Sequence, residues 1–561
     1  MTSVLSRLAE RSPRETTPDV LEHAAPFLDR DPLEFAAAAD AAGLVVGCVL
    51  LLVAVVFGQP AVLLVALGAG YGTVVLVRGA AVAVANARRS RTLGSAPELV
   101  SRAVLQTRVA PTAEGAAAFA AETEGRLGDR LAEYVRRARG TPRSGLGRFA
   151  AAWRDSFPAL HRALTLVDAA AGAPDEERDR ALDRAMTAIL DGTRDRAADA
   201  ADAIRGPATA LYAFGVLLPL ALVGVLPAAG AAGVRATLPA VVVLYDLLLP
   251  VVLACASGWL LANRPVAFPP TPVGRDHPAV PDRRWPAFAG GVGVAVAGWT
   301  LAGAVVPAWT RPIAAVGLGA GTVLVALYRP IVAVRRRADR LDEALPDALY
   351  LVGRRVADGI AVERAVADAA DELDGVAREV FEAAARRQSQ LRVGVETAFD
   401  GEYGALDAVP SQRARGAARL LGAATREGPP AGRALVETAD HLDDLRRVER
   451  DARRDLARVT STLGNTASFF GPLVGGATVA LADSVGTTNA LDGSAPETAG
   501  LGLAVGAYVL LLAVLLTALS TGLSRGLDRA TAGYRTGAAL LAATVTYLVA
   551  FRATATVAGG L

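Results

Sequence analysis

The stretch AGRALVETADHLDDLRRVERDARRDLARVTSTLGNTASFFGPLV, residues 431–474, decides how the rest of the chain is organised. In its first part apolar residues return every three or four positions among charged ones, which predicts an amphipathic helix. It then continues as an uncharged apolar segment without an obvious stop. The stretch therefore predicts one helix that runs from water into lipid. Its apolar positions are Leu442, Leu445, Val448, Ala452, Leu456, Val459 and Leu463.

An earlier stretch repeats this pattern. A charged helix is predicted there by five apolar positions, and it leads into PATALYAFGVLLPLALVGVL, residues 207–226. The chain thus contains two predicted helices of this kind. The five positions are Leu182, Ala185, Ile189, Ala201 and Ile204.

Composition points to the membrane. The chain has 561 residues, of which 52% are hydrophobic, and its mean hydropathy is positive. Its net charge of +2 is uninformative, but the charged residues lie in blocks between long apolar runs. All 58 basic residues are arginine, which excludes a P-loop lysine and a lysine Schiff base. A nucleotide-hydrolysing motor of the Walker type is therefore excluded.

Neither a metal site nor a cofactor site is predicted. Cys48 and Cys255 fall within apolar runs, where a cysteine is usually a small buried residue, and the four histidines have no metal-like spacing. The first 39 residues are too long and charged for a secretory signal, so the first apolar run is expected to remain as a membrane span.

Nine apolar runs approach the length of about 20 residues that a helix needs to cross roughly 30 Å of hydrocarbon. They predict an all-α integral membrane protein with about nine transmembrane helices and two cytoplasmic helical-bundle domains. The runs are 41–58, 60–77, 207–227, 236–262, 286–306, 312–328, 464–482, 500–523 and 536–557. The predicted order is an N-terminal segment 1–40, a transmembrane hairpin 41–77, a first soluble domain 78–206, four spans 207–328, a second soluble domain 329–463 and three spans 464–561.

Arginines predict the orientation. If the N-terminus is cytoplasmic, the short loops 263–285 and 524–535 are also cytoplasmic, and they carry four and three arginines. The outer loop 483–500 carries none. Because short basic loops stay inside, we expect a multi-pass protein of the cell membrane with both helical domains in the cytoplasm.

The two soluble regions have the same plan. APELVSRAVLQTRVAP, residues 96–111, resembles LPDALYLVGRRVADGIAV, residues 345–362, and FGVLLP at 214–219 resembles FGPLVG at 470–475. A small insertion reconciles the two alignments, which predicts an internal duplication. In the second region Gly359 is a predicted helix stop, and further helices are expected near 362–372, 376–396 and 411–426.

These residues resemble the membrane platform proteins of type II secretion and type IV pilus systems, the group of PilC, GspF, TadC and archaeal FlaJ. The resemblance rests on residues 345–366, 433–459 and 466–476 and on weaker matching segments in the first half of the chain. It covers about 80–230 and 335–483. The extra spans resemble larger archaeal pilus platforms. The lysine-free composition, rich in alanine and arginine, resembles that of haloarchaeal proteins.

The resemblance implies a non-enzymatic platform. In that family the cytoplasmic domains bind a hexameric secretion ATPase, and the membrane part passes its motion to prepilin or pilin subunits. Membrane lipids are expected partners and nucleic acid is not, whereas a homodimer stays an open alternative. No catalytic residue and no cofactor is implied.

Seven arginines are candidates for the ATPase contact, because rim charges steer association. An alternative interpretation, which we favour, is that they anchor the membrane topology, touch anionic lipid headgroups or form solvated helix faces. The candidates are Arg335, Arg336, Arg337, Arg354, Arg355, Arg446 and Arg447.

Asp246 is the intramembrane polar candidate, near the middle of the run 236–262. An unpaired carboxylate there costs several kcal/mol. We favour a structural role with Tyr212 or Ser257 as partner over an ion pathway, since no second intramembrane charge accompanies it. Ser524 in GLSRG matches the nucleophile-elbow pattern, but an apolar helix precedes it where that pattern needs a strand.

The runner-up function is a multi-spanning transporter with cytoplasmic regulatory domains, in which Asp246 would couple ions. A soluble domain of more than 100 residues in each predicted repeat argues against it. A membrane receptor is a third alternative, but the sequence lacks a sizeable outer domain to sense with.

Overall fold

The structure is a computed structural model. It describes residues 40, 92–123, 125–140, 144–231, 238–262, 273, 277–281, 283–427, 429–488, 498–525 and 528–558. Within these ranges every regular element is a helix and no strand occurs, as predicted. The predicted spans 41–58 and 60–77 lie outside the described residues.

The region that the sequence predicts as the first soluble domain, here called the first soluble region, is a bundle of six helices. Thr112 and Ser144 cap the helices that begin at Ala113 and Gly145 by accepting the backbone N–H of Gly115 and Gly147, at 3.3 and 3.0 Å. Its core contains Phe149, which packs edge to face against two other aromatic rings. The helices are α1 Ala96–Val109, α2 Ala113–Ala121, α3 Arg126–Ala138, α4 Gly145–Ala152, α5 Pro158–Ala170 and α6 Asp175–Tyr212.

Apolar helices follow, and two of them contain a π-helical turn. Helix α6 continues without a break through the π turn Ala213–Leu217 into the helix that begins at Leu218. The helix that begins at Leu238 continues in the same way through the π turn Val243–Leu248. The helices are α7 Leu218–Ala231, α8 Leu238–Val242, α9 Leu249–Ala262 and α10 Trp285–Val305.

Helix α11, Arg311–Ala357, is a single helix of 47 residues that begins in the apolar part and ends in the second soluble region. It ends where Gly359 adopts a φ of +89°. The backbone N–H groups of Gly359 and Ile360 donate to the carbonyls of Val356 and Arg355, both at 3.0 Å. This is the Schellman arrangement, and it occurs at the predicted glycine stop.

The second soluble region differs from the prediction at one place. The helix expected over 376–396 ends at Leu391, because Arg392 adopts a left-handed φ of 51°. A separate short helix then begins at Val395. The helices are α12 Val362–Glu372, α13 Gly375–Leu391, α14 Val395–Asp400, α15 Gln412–Glu427 and α16 Pro429–Asn465.

Helix α16 continues through a third π turn, Thr466–Phe470, into α17 Gly471–Thr488, and two long apolar helices complete the described chain, α18 Thr498–Arg525 and α19 Arg529–Ala558. Small residues bring the apolar helices together. A Cβ on Gly319 of α11 would lie 2.8 Å from Ala295 of α10, and one on Gly321 would lie 2.9 Å from the Gly537 carbonyl of α19. Helix α11 is therefore packed closely on two sides.

Six described helices are long and apolar enough to cross a membrane, which indicates a membrane protein. They are Asp175–Val225, Leu238–Leu261, Trp285–Val305, Ala308–Ala357, Ala499–Ser524 and Arg529–Ala558. The predicted span 464–482 is helical but is not among these six. Asn465, Thr466, Ser468 and Thr478, together with several glycines, dilute its apolar character. Nine spans are therefore not established.

Candidate functional site: the junction of the soluble regions and the apolar helices

Helix α16 contributes side chains to three separate hydrophobic cores. Leu435 lies in the core of the second soluble region, Leu445 and Val448 lie in that of the first, and Leu463 lies in the core of the apolar helices. Each of these side chains is at most 6% exposed. The 28 positions from Leu435 to Leu463 correspond to about 42 Å of helix. One rigid element thus connects the three parts of the molecule.

Ion pairs add to this connection between the two soluble regions. Arg194 of α6 lies 3.1 Å from Asp451 of α16, so the two helices that lead into the apolar part are joined to each other. Arg108 of α1, whose side chain is 10% exposed, pairs with Asp183 of α6 at 2.6 Å and also with Glu437 of α16. The exposed Arg194 pair contributes little free energy, whereas the largely buried Arg108 has more effect on the relative position of the helices.

A buried polar cluster connects α11, α15 and α16. The hydroxyl of Ser411 donates to the carboxylate of Asp342 and accepts the backbone N–H of Ala414 at 2.9 Å, where it caps α15. Arg413 forms a salt bridge with Glu449, which is 6% exposed. Burial raises the pKa of Asp342, which lies in the charged part of α11 beyond the predicted span 312–328, to about 6, although Arg413 and Ser411 act in the opposite direction.

The three π turns occur at equivalent places in their helices. Each turn ends two residues before a proline, at Pro219, Pro250 and Pro472. A proline has no N–H and its ring collides with the carbonyl four residues earlier, which a locally widened turn relieves. In each turn a backbone N–H donates to the carbonyl five residues earlier. Two of these turns lie where a soluble region leads into the apolar helices.

Buried tyrosines lie beside the first of these turns. The hydroxyl of Tyr508 donates to the carbonyl of Gly215 at 2.6 Å, and that of Tyr245 donates to the carbonyl of Pro219 at 2.7 Å. The two rings pack edge to face with centroids 5.4 Å apart. Helices α8, α9 and α18 thus hold the point at which the first soluble region enters the apolar core.

The candidate arginines lie in different environments, and the structure does not bring them together. Arg335 is largely buried and pairs with Asp528, whose carboxylate also caps α19. Arg446 is half-buried beside Arg413, and burial followed by the charge of Arg413 lowers its pKa.

Of the other five candidate arginines, Arg355 has a side chain that is 20% exposed, and the remaining four are exposed. Arg337 pairs with Glu379, Arg355 with Glu372, and Arg447 with Asp443 at 2.7 Å. The guanidinium of Arg336 lies 5.9 Å from the ring of Tyr534, and a hydrogen bond with Tyr350 raises the pKa of the exposed Arg354. Arg335 and Arg446 therefore contribute mainly to internal contacts, and the ATPase contact stays a prediction.

Asp246 lies inside the second π turn, four residues before Pro250. Its Oδ1 atom is buried and has no hydrogen-bond partner among the described residues. Ser257, one of its predicted partners, likewise has an unpartnered hydroxyl within the described part of the chain. Where the chain is described, no group of three histidine, cysteine or acidic side chains could hold a metal ion.

The sequence reasoning missed Tyr508, Asp342 and the π turns. Only the turns had a local signal, since a proline follows each of them inside an apolar run. Comparison with models of known families, with curated proteins and with solved structures finds no match to this chain.

Proposed function

We propose that the protein is a membrane platform for assembly of a type IV pilus-like or secretion filament, in which it couples a cytoplasmic secretion ATPase to pilin subunits in the membrane. The observation that carries this proposal is the placement of α16 in three cores. A partner that displaces either soluble region would displace α16, and α16 would transmit the displacement to the apolar helices. Such transmission needs no catalytic group in this chain.

The orientation belongs to the same proposal. We place both soluble regions in the cytoplasm, because the arginine-rich loops 263–285 and 524–535 follow the positive-inside rule in that orientation. The pairing of Arg335 with Asp528 supports it, since it puts the basic end of the α11 span beside the second of these loops. The ATPase would then act on the soluble regions and the pilins on the apolar helices.

Two measurements on the full chain test the proposal. Deletion of the chain should abolish filaments on the cell surface, and the wild-type sequence should restore them. The tagged full chain, extracted in a mild detergent, should co-purify a Walker-type secretion ATPase. Filaments that persist after deletion would contradict the platform function, as would repeated purification without such an ATPase.

A transporter is the second candidate function, and it is favoured by the Oδ1 atom of Asp246, which has no hydrogen-bond partner in the described part of the chain. A buried carboxylate oxygen without a donor is unfavourable inside an apolar helix, and an ionisable residue there often marks an ion pathway. Substrate uptake that depends on the chain and is lost in Asp246→Asn would support transport. A platform should show no such uptake.

A further inference from the structure

A cavity of about 640 Å³ lies where α16 leaves the soluble regions and meets the end of α18 and the start of α19. Among the described residues that line it, the two charged ones are arginines and none is acidic. One of them, Arg453, has a weak contact of 3.8 Å with Glu449, and its side chain is 56% exposed. The lining therefore favours an anion. Its lining includes Arg453, Arg535, Thr517, Gly464, Phe469 and Ala538.

One buried hydroxyl in this lining has no hydrogen-bond partner where the chain is described. A threonine inside a helix commonly donates to the carbonyl four residues earlier, as Thr460 does to Leu456 at 2.9 Å in the same cavity. Thr517 is 5% exposed, and its hydroxyl has no hydrogen-bond partner among the described residues. Leaving such a buried group without a hydrogen-bond partner is unfavourable. A ligand with hydrogen-bonding oxygens would satisfy it.

The cavity changes from polar to apolar along its length. Arg453 lies in the charged part of α16. Arg535 lies in the second turn of α19, at the end of the predicted loop 524–535. Towards the membrane interior the lining consists of Phe469, which is 54% exposed, and of alanines such as Ala538. A molecule with an anionic head, a layer of ester oxygens and hydrocarbon chains matches this order.

We propose that this cavity binds one anionic phospholipid. The phosphate contacts Arg453 and Arg535, an ester or glycerol oxygen accepts a hydrogen bond from Thr517, and the acyl chains leave past Phe469 and Ala538. Basic pockets between membrane helices are suited to lipid headgroups, and the volume lies in the usual range of ligand sites. The lipid would connect α16 to α18 and α19 at the level where the helix enters the membrane.

The test uses the full chain, delipidated in a neutral detergent and studied by native mass spectrometry. It is titrated with phosphatidylglycerol or with phosphatidylcholine of the same acyl composition. We expect one saturable phosphatidylglycerol site with at least tenfold preference over phosphatidylcholine. Replacing both arginines, in Arg453→Gln with Arg535→Gln, should weaken phosphatidylglycerol binding roughly thirtyfold.

A cavity-filling variant tests the position of the site. A Cβ on Gly464 would meet only the Ser520 hydroxyl, at 3.7 Å, so the side chain of Gly464→Leu can enter the cavity without a backbone clash. The matched control is Gly293→Leu, since a Cβ there meets no atom within 4 Å. The first variant should lose the saturable site and the second should keep it, with unchanged elution and melting temperature in both.

Three results would overturn the proposal. The first is equal binding of the two lipids to the wild-type protein. The second is retention of the phosphatidylglycerol site in both the double arginine variant and Gly464→Leu. The third is competition by inorganic phosphate at the same concentration as lipid, which would assign the cavity to a free anion. The test requires neither a filament nor an ATPase, so it is independent of the proposed function.

Discussion

The hydroxyl of Tyr508 on α18 lies 2.6 Å from the carbonyl oxygen of Gly215 on the helix that leaves the first soluble region. Pro219, four residues after Gly215, has no N–H and cannot make the bond that an α-helix would form to this carbonyl. The Tyr508 side chain is fully buried. A phenol from a neighbouring helix therefore satisfies an acceptor that a proline leaves open.

Replacing Tyr508 by phenylalanine should lower the free energy of unfolding by about 1–3 kcal/mol, because a buried acceptor loses its donor. The measurement is thermal or denaturant unfolding of the full chain in detergent. The matched control is Tyr547→Phe, whose hydroxyl donates to the carbonyl of Gly502 at 2.8 Å. Gly506, four residues after Gly502, retains its N–H, which an α-helix uses to donate to the Gly502 carbonyl. Tyr547→Phe should therefore lower the free energy of unfolding by less than Tyr508→Phe does. An equal loss in both variants would contradict the role given to Pro219.

The buried cluster predicts a pH dependence of stability. The pKa of Asp342 is about 6 in the folded protein and about 3.9 in an unfolded chain. The folded state then binds more protons between these values, so stability falls as pH rises from about 4 to about 6 and is level above that. The penalty at pH 7 is on the order of 3 kcal/mol.

Asp342→Asn keeps an acceptor for the Ser411 hydroxyl and should remove this pH dependence, with higher stability at pH 7. The control is Asp347→Asn, a change at an exposed carboxylate on the same helix. Unfolding curves between pH 4 and 8 provide the measurement. If the wild-type stability instead rose between about pH 4 and about pH 6, and Asp342→Asn removed that rise, the predicted direction of the pH dependence would be wrong.

The crossing of α11 and α16 predicts a strong steric effect. A Cβ on Gly432 would lie 2.3 Å from the backbone nitrogen of Ala357, and backbone cannot move aside cheaply. Gly432→Ala should therefore destabilise the protein by about 1–3 kcal/mol. In Gly416→Ala, where the nearest atom is a flexible Arg102 nitrogen at 3.6 Å, stability should be unchanged or higher, because alanine favours helix. Similar unfolding curves for the two variants would contradict the close crossing.

Asp246→Asn separates the two candidate functions. The change keeps the side-chain size and removes a charge that has no described partner at Oδ1. A platform should assemble filaments in normal numbers with this variant, as counted by electron microscopy at equal protein level. Loss of filaments at normal protein level would give Asp246 a direct role.

The sequence predicted helices better than it predicted their partners. The periodicity of α16 identified Leu445, Leu456 and Leu463, which are all buried. It could not assign Leu445 to the core of the first soluble region, because the side chains that cover it lie hundreds of residues away. Likewise Asp342 appears in the sequence as one charge on an amphipathic helix, and only the approach of Ser411 and Arg413 makes it a buried polar site.

Local conformation was predicted where a residue type enforces it. Gly359 ends α11 because glycine adopts positive φ without strain. The end of α13 before Arg392 was missed because arginine, unlike glycine, gives no local signal for a left-handed conformation. The prolines after the three π turns were visible in the sequence, but nothing local distinguishes a π turn from a simple kink.

The most direct test of the platform proposal interrupts α16 between the soluble regions and the apolar helices. Four glycines inserted between Thr462 and Leu463 should leave the protein in the membrane at normal level and the ATPase bound, but should abolish filaments. The same insertion after Ala279, within the loop 263–285, is the control and should leave filaments intact. Normal filament numbers with the α16 insertion would contradict the proposal that this helix transmits motion.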